Sequence, residues 1–131
     1  MRSALFSLCC LLLVLTSCKK DQAGPVSDGD YTGTFQRISL TGSGAVSNVT
    51  LHLRSGSYSG SSDNARYPAI CVGGWESSEG KLHFWDGCVF TADFDWTLIL
   101  EGDFNYSIDG FHLKFWKTTG DHTDVYNLQR K

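Results

Sequence analysis

The sequence predicts an all-β fold, a small antiparallel up-and-down β-barrel of about eight strands, behind an N-terminal secretory segment. Three observations carry that expectation. From Asp30 onward apolar and polar residues alternate, and no helical period of useful length interrupts them. The alternation is punctuated by two-residue turn pairs, Ser55-Gly56, Glu79-Gly80 and Asp109-Gly110. Folding the chain back at each pair sets apolar residues opposite apolar residues on one face, as a correct register must.

The chain has 131 residues, the size of one domain. Its most apolar run, residues 4–17, is about fourteen residues long, short of the roughly twenty that a membrane-spanning helix needs. With Arg2 before it and the small residues Thr16 and Ser17 at its end, residues 1–17 have the layout of a removed signal peptide. The run stops at Cys18, and "LTSC" resembles the bacterial lipobox, a Leu and two small residues before the cysteine that takes the lipid. That resemblance implies diacylglycerol on the Cys18 thiol, cleavage before Cys18, and a protein held in the cell envelope through its lipid. Two or more acyl chains anchor a protein stably, at about 0.8 kcal/mol per buried CH₂. Lys19 after the lipidated cysteine implies the outer membrane, with the periplasmic or surface face left open.

Without Arg2, 10 Lys and Arg stand against 14 Asp and Glu, a net charge of −4 for residues 18–131. No basic patch of the kind that nucleic acid requires is present. Of the five cysteines, Cys9 and Cys10 leave with the signal and Cys18 takes the lipid. Cys71 and Cys88 remain, an expected disulfide in an oxidising compartment. Residues 18–29 form the lipidated cysteine and a polar tether with Gly and Pro. Fully extended, its eleven residues after Cys18 reach about 36–40 Å.

The folded domain is expected over 30–131, with strands at 30–38, 47–54, 57–62, 69–77, 81–90, 95–100, 104–108, 111–117 and 123–130, nine short segments or eight if 104–117 is merged. A turn at Ser55-Gly56 faces Leu53 with Tyr58 and Leu51 with Gly60. One at Glu79-Gly80 faces Trp75 with Phe84, Gly73 with Asp86 and Cys71 with Cys88, and directly opposed cysteines lie within disulfide reach. One at Asp109-Gly110 faces Ile108 with Phe111, Tyr106 with Leu113 and Phe104 with Phe115. A three-residue loop, 101–103, pairs Leu100 with Phe104. A meander of this size with one apolar face closes into a barrel, which removes exposed edges. A two-sheet sandwich is the alternative.

"DGDYTGTFQR" is similar to the first strand of lipocalin-like (calycin) barrels. Those barrels carry Gly-x-Trp there and an Arg near the end of the last strand that packs over the Trp. Here Gly33-Thr34-Phe35 and Arg130 stand in those places, with Phe for Trp. "YPAICVGGW" and "CVFTADFDWTLILEGDFNY" resemble small lipoproteins of Bacteroidota with lipocalin-like barrels, over residues 30–131. The resemblance implies fold and location and no particular chemistry.

Asp93 and Asp95 lie two apart on an expected strand and so share a face, an arrangement that can hold Ca²⁺ or perform acid–base work. It reads more simply as a loop rim with a capped strand start. His52, His83, His112 and His122 show no metal-binding spacing, and three of them fall on the solvent face. No phosphate-binding loop and no defined nucleophile–base pair stand out, so neither enzyme activity nor a cofactor or metal is expected. The apolar face is rich in aromatics. Candidate ligand-lining residues are Arg37, Tyr58, Trp75, Phe84, Asp86 and Tyr106, for a small apolar or amphipathic ligand inside the barrel. The alternative is a barrel filled by its own side chains that meets a protein or glycan through its outer surface, where His83, Trp85 and Trp116 point outward.

Overall fold

The computed structural model describes residues 24–91 and 93–131. The signal segment, Cys18 and residues 19–23 lie outside the described residues. Eight antiparallel strands follow in order: β1 Gly29–Ser39, β2 Gly42–Arg54, β3 Ser57–Ser62, β4 Val72–Ser78, β5 Lys81–Asp86, β6 Gly102–Asp109, β7 His112–Thr119 and β8 His122–Arg130. Each pairs with its sequence neighbour, and β8 returns to pair with β1, closing the barrel. The up-and-down order puts two tight turns, at 40–41 and 120–121, and the long loops 63–71 and 87–101 at one end, the upper one. The hairpins at 55–56, 79–80 and 110–111 and the chain termini lie at the basal end.

The first two expected hairpins form in the expected register. Leu53 opposes Tyr58 and Leu51 opposes Gly60. Trp75 opposes Phe84 and Gly73 opposes Asp86. Both central residues of each turn have positive φ (Ser55 45°, Gly56 83°; Glu79 52°, Gly80 77°), the type I′ geometry that matches strand twist. The third register is corrected by two residues. Ile108 opposes Leu113, Tyr106 opposes Phe115 and Asp109 opposes His112. The turn is Gly110-Phe111, with φ +59° at Gly110 alone, a type II′ turn whose first central position favours glycine. A shift of two keeps every side chain on its face.

The expected strand 95–100 is not one. Residues 96–98 make a short 3₁₀ turn capped by Asp95, whose Oδ1 accepts from Thr97 N at 2.9 Å. Leu98, Ile99 and Leu100 are then buried over the upper end. Ala69 pins this plug to the neighbouring loop, donating N–H to Leu98 O and accepting from Leu100 N, both at 3.0 Å. Leu100 therefore does not pair with Phe104. Instead β6 runs beside β5, with Leu82 opposite Phe104 and His83 opposite Asp103.

The β4–β5 pairing ends at Gly73–Asp86, and just past it Cys71 and Cys88 are disulfide-bonded, as expected, with Cα atoms 6.3 Å apart. The bridge ties the roots of the two long upper loops together. At the basal end the fold already includes residues 24–28, ahead of the expected start at Asp30. The segment 24–28, expected as part of the tether, crosses under the barrel with Val26 6% exposed in the core. Tyr31 donates its hydroxyl to Ser27 O at 2.7 Å, Tyr106 donates to Gly24 O at 3.1 Å, and Asp28 accepts from Ser55 N at 2.8 Å.

Candidate functional site

The barrel axis is occupied by rings. Phe115 stacks on Tyr126 with centroids 4.4 Å apart and an 11° interplanar angle. Phe104 stands edge-on to Phe115 at 5.3 Å and Phe84 lies 5.5 Å from Phe115. Phe35 meets Tyr126 at 4.9 Å, and Tyr58 meets Phe84 at 5.3 Å. Such offset and edge-to-face contacts are the preferred aromatic arrangements and leave little room between rings. Arg130, expected to cover Phe35, instead lies over Phe111, its guanidinium 5.3 Å from that ring at the basal rim.

Of the six interior candidates, four gather on the inner wall of β3–β5: Tyr58, Trp75, Phe84 and Asp86. Gly73 makes this possible. It opposes both Tyr58 and Asp86, and a Cβ there would lie 2.8 Å from Tyr58 Cε1 and 1.8 Å from Trp85 O. The Tyr58 hydroxyl donates to Leu100 O at 3.2 Å, and burial, then the nearby Asp86 charge, holds the phenol well above its usual range. Burial also pushes the Asp86 carboxyl up, while Cys88 N donating to Oδ2 at 3.2 Å opposes that shift. Asp86 Oδ1 and Trp75 Nε1 are buried without a hydrogen-bond partner among the described residues.

The other two candidates lie apart. Tyr106 is at the basal end, holding Gly24. Arg37 is at the upper rim, where it is consumed by structure. Its Nε and Nη2 donate to the two carboxylate oxygens of buried Asp124 at 2.6 and 2.7 Å. Nη1 donates to Asp95 Oδ2 at 2.7 Å and Nη2 to Thr97 Oγ1 at 3.0 Å. Asp95 caps, as the simpler reading of the Asp93–Asp95 pair has it, though what it caps is the 3₁₀ turn and not a strand; it also binds Arg37, and hydrogen bonds from Thr97 and then Arg37 hold its carboxyl below the usual range. Beside it Lys117, its pKa lowered by burial, donates to Glu101 O at 2.7 Å. No cluster of three metal-ligating side chains occurs among the described residues.

On the outer face, strand alternation turns His83 and Trp85 outward as expected, and brings them together. Their rings are 4.5 Å apart at 64°. His83 Nδ1 is hydrogen-bonded to Asp103. Trp116 is not part of this group: it lies beyond Asn105, with Lys114 Nζ 5.8 Å from its ring. A surface hollow of about 150 Å³ is lined by Glu76, Ser78, Lys81, His83, Trp85 and Asp103. A second, shallower trough of about 430 Å³ lies along β3, bounded by His52, Arg54, Ser57, Ser59 and Val72. Sequence reasoning missed Glu76, Lys81 and Asp103. The β4–β5 hairpin already places Glu76 opposite His83. Asp103 required the non-local β5–β6 register.

No known protein family, curated protein or solved structure matches the chain.

Proposed function

We propose that this chain is a non-catalytic lipoprotein of the cell envelope, anchored through lipid on Cys18, whose filled barrel is a rigid support for contacts made by its outer face. The observation that carries this reading is the ring stack along the axis, Phe35, Tyr126, Phe115, Phe104 and Phe84 in mutual contact. The upper plug and the basal segment around Val26 close the two ends by which a guest would enter. A small apolar ligand would have to move the plug or the strap to enter, and packed aromatic rings to lodge.

Native mass spectrometry of the protein purified gently from an envelope fraction tests the filled interior. The expected result is a bare mass after exposure to lipid extracts. A guest that leaves on unfolding would overturn it. Cys18→Ser tests the anchor: the variant is expected in the soluble fraction, and retention on membranes would remove the lipid from the account.

A second reading has one observation in its favour. Trp75 Nε1 and Asp86 Oδ1, a donor and an acceptor on the same inner wall, are buried without partners among the described residues. Unpaired buried polar atoms are costly, so a small polar guest bridging them would be stabilising. The same mass spectrum decides between the two readings.

A further inference from the structure

We propose that the outer face of β4–β6 is a binding site for a neutral, hydroxyl-rich glycan, with the Trp85 indole as stacking platform and Glu76, Asp103 and Lys81 as its polar contacts. This rests on the reading of the outer face as the working surface, and names its ligand class.

The platform is built in place. Trp85 is 46% exposed, and an exposed tryptophan beside a hollow marks a contact surface. Gly74 opposes it, and the indole's six-membered edge rests on the bare backbone there: a Cβ on Gly74 would lie 3.1 Å from Trp85 Cε3. The His83 ring also stands against the indole, and Asp103 holds His83 in turn. Two neighbours thus limit the freedom of the indole before any ligand arrives, which lowers the entropic cost of binding.

The polar groups suit hydroxyls. Glu76 and Asp103 flank His83 from β4 and β6, each directly opposite it. A carboxylate accepts from two hydroxyls, and Lys81 adds a donor. Charge argues against an ionic ligand. Two carboxylates face one lysine and one histidine, so the hollow carries at most about one net charge. A cationic peptide would meet Lys81, and an anion would meet both carboxylates. A sugar ring, apolar on its C–H face and hydroxylated at its edge, satisfies both the indole and its surroundings. Gly74 also opposes Ser57, so Trp85 stands between the hollow and the largely apolar trough along β3. A chain of a few sugar rings could run from one to the other across the indole.

Affinity electrophoresis of the full chain in mild detergent tests the site. The probes are gels cast with soluble starch, mixed-linkage β-glucan, arabinoxylan or galactomannan, with polygalacturonate and polylysine as charged controls. At least one neutral polysaccharide is expected to retard the protein. Trp85→Ala should weaken that binding about tenfold or more, the scale of a stacking anchor. Glu76→Gln and Asp103→Asn should weaken it several-fold, and Trp96→Ala, an exposed aromatic of the upper loop, should leave it unchanged. Retardation by none of the neutral gels overturns the proposal. So does equal retardation of Trp85→Ala, or binding to polylysine alone. Native mass spectrometry on the same sample keeps the two claims apart: a bare mass with no retardation removes only the glycan site, whereas an expelled guest removes the filled barrel beneath it.

Discussion

The two ends of the barrel are closed by different physics. At the upper end a loop is folded inward and fastened by charge, by backbone hydrogen bonds and by a covalent bond. Arg37 grips Asp124 and Asp95, Ala69 pins the plug, and Cys71–Cys88 ties the loop roots. At the basal end a strap of five residues lies across tight hairpins, held by one buried valine and hydrogen bonds that involve Tyr31, Tyr106 and Asp28. The upper loops are long and irregular, so their order has to be imposed. The basal turns are two-residue hairpins that order themselves, and a light cover suffices.

If that contrast is right, upper-end lesions should be the costly ones. Arg37→Ala strands the buried Asp124 carboxylate and is expected to lose about 3–5 kcal/mol in urea unfolding; a loss below that of Val26→Ala would break the comparison. Reducing the disulfide, or Cys71→Ser, should lose about 3 kcal/mol through the freed unfolded chain. Hydrogen exchange of the Leu98–Leu100 amides should quicken while Gly24–Asp28 stays as before. Val26→Ala should lose about 2 kcal/mol by removing buried methyl groups, with its exchange effect confined to the basal end.

A pH titration sharpens the contrast further. The folded Asp86 carboxyl is held above its ordinary value by burial, so the folded state binds more protons than the unfolded one between the two pKa values. Stability should therefore fall as pH rises from the ordinary carboxylate value through the raised one. Asp86→Asn should flatten that slope and raise stability at neutral pH; an unchanged slope would show that Asp86 is not its source. The smallest effect is expected from Trp85→Ala, within about 0.5 kcal/mol of the parent, because the residue lies on the outer face and supports neither end.

Much of this architecture can be read from residues alone, and each failure has a definite cause. Ser55-Gly56 and Glu79-Gly80 put glycine second, the signature of the turn type that forms. Gly110 serves equally as the second residue of one turn or the first of another. Only the strand pairing chooses, and the two-residue error leaves the inward set intact. Trp96, Leu98 and Leu100 are spaced like one face of a strand, yet Asp95 caps a turn there and the leucines bury downward as a plug. Losing that strand hid the β5–β6 register, and with it the Asp103 contact to His83. The interior aromatics were legible as core. That Arg37 serves Asp124 and Asp95 was not, because those partners lie far along the chain.

The basal strap has a consequence for how the protein would explore its surroundings. Tyr106 holds Gly24 to the barrel, and six residue steps separate Gly24 from Cys18, so the chain between them can span at most about 20 Å, against 36–40 Å for the eleven residues of the expected tether. Halving that limit cuts the volume open to the domain about eightfold. With the proposed lipid on Cys18, any target fixed at the same membrane would then be met at roughly eight times the effective concentration, provided it stands within that shorter radius.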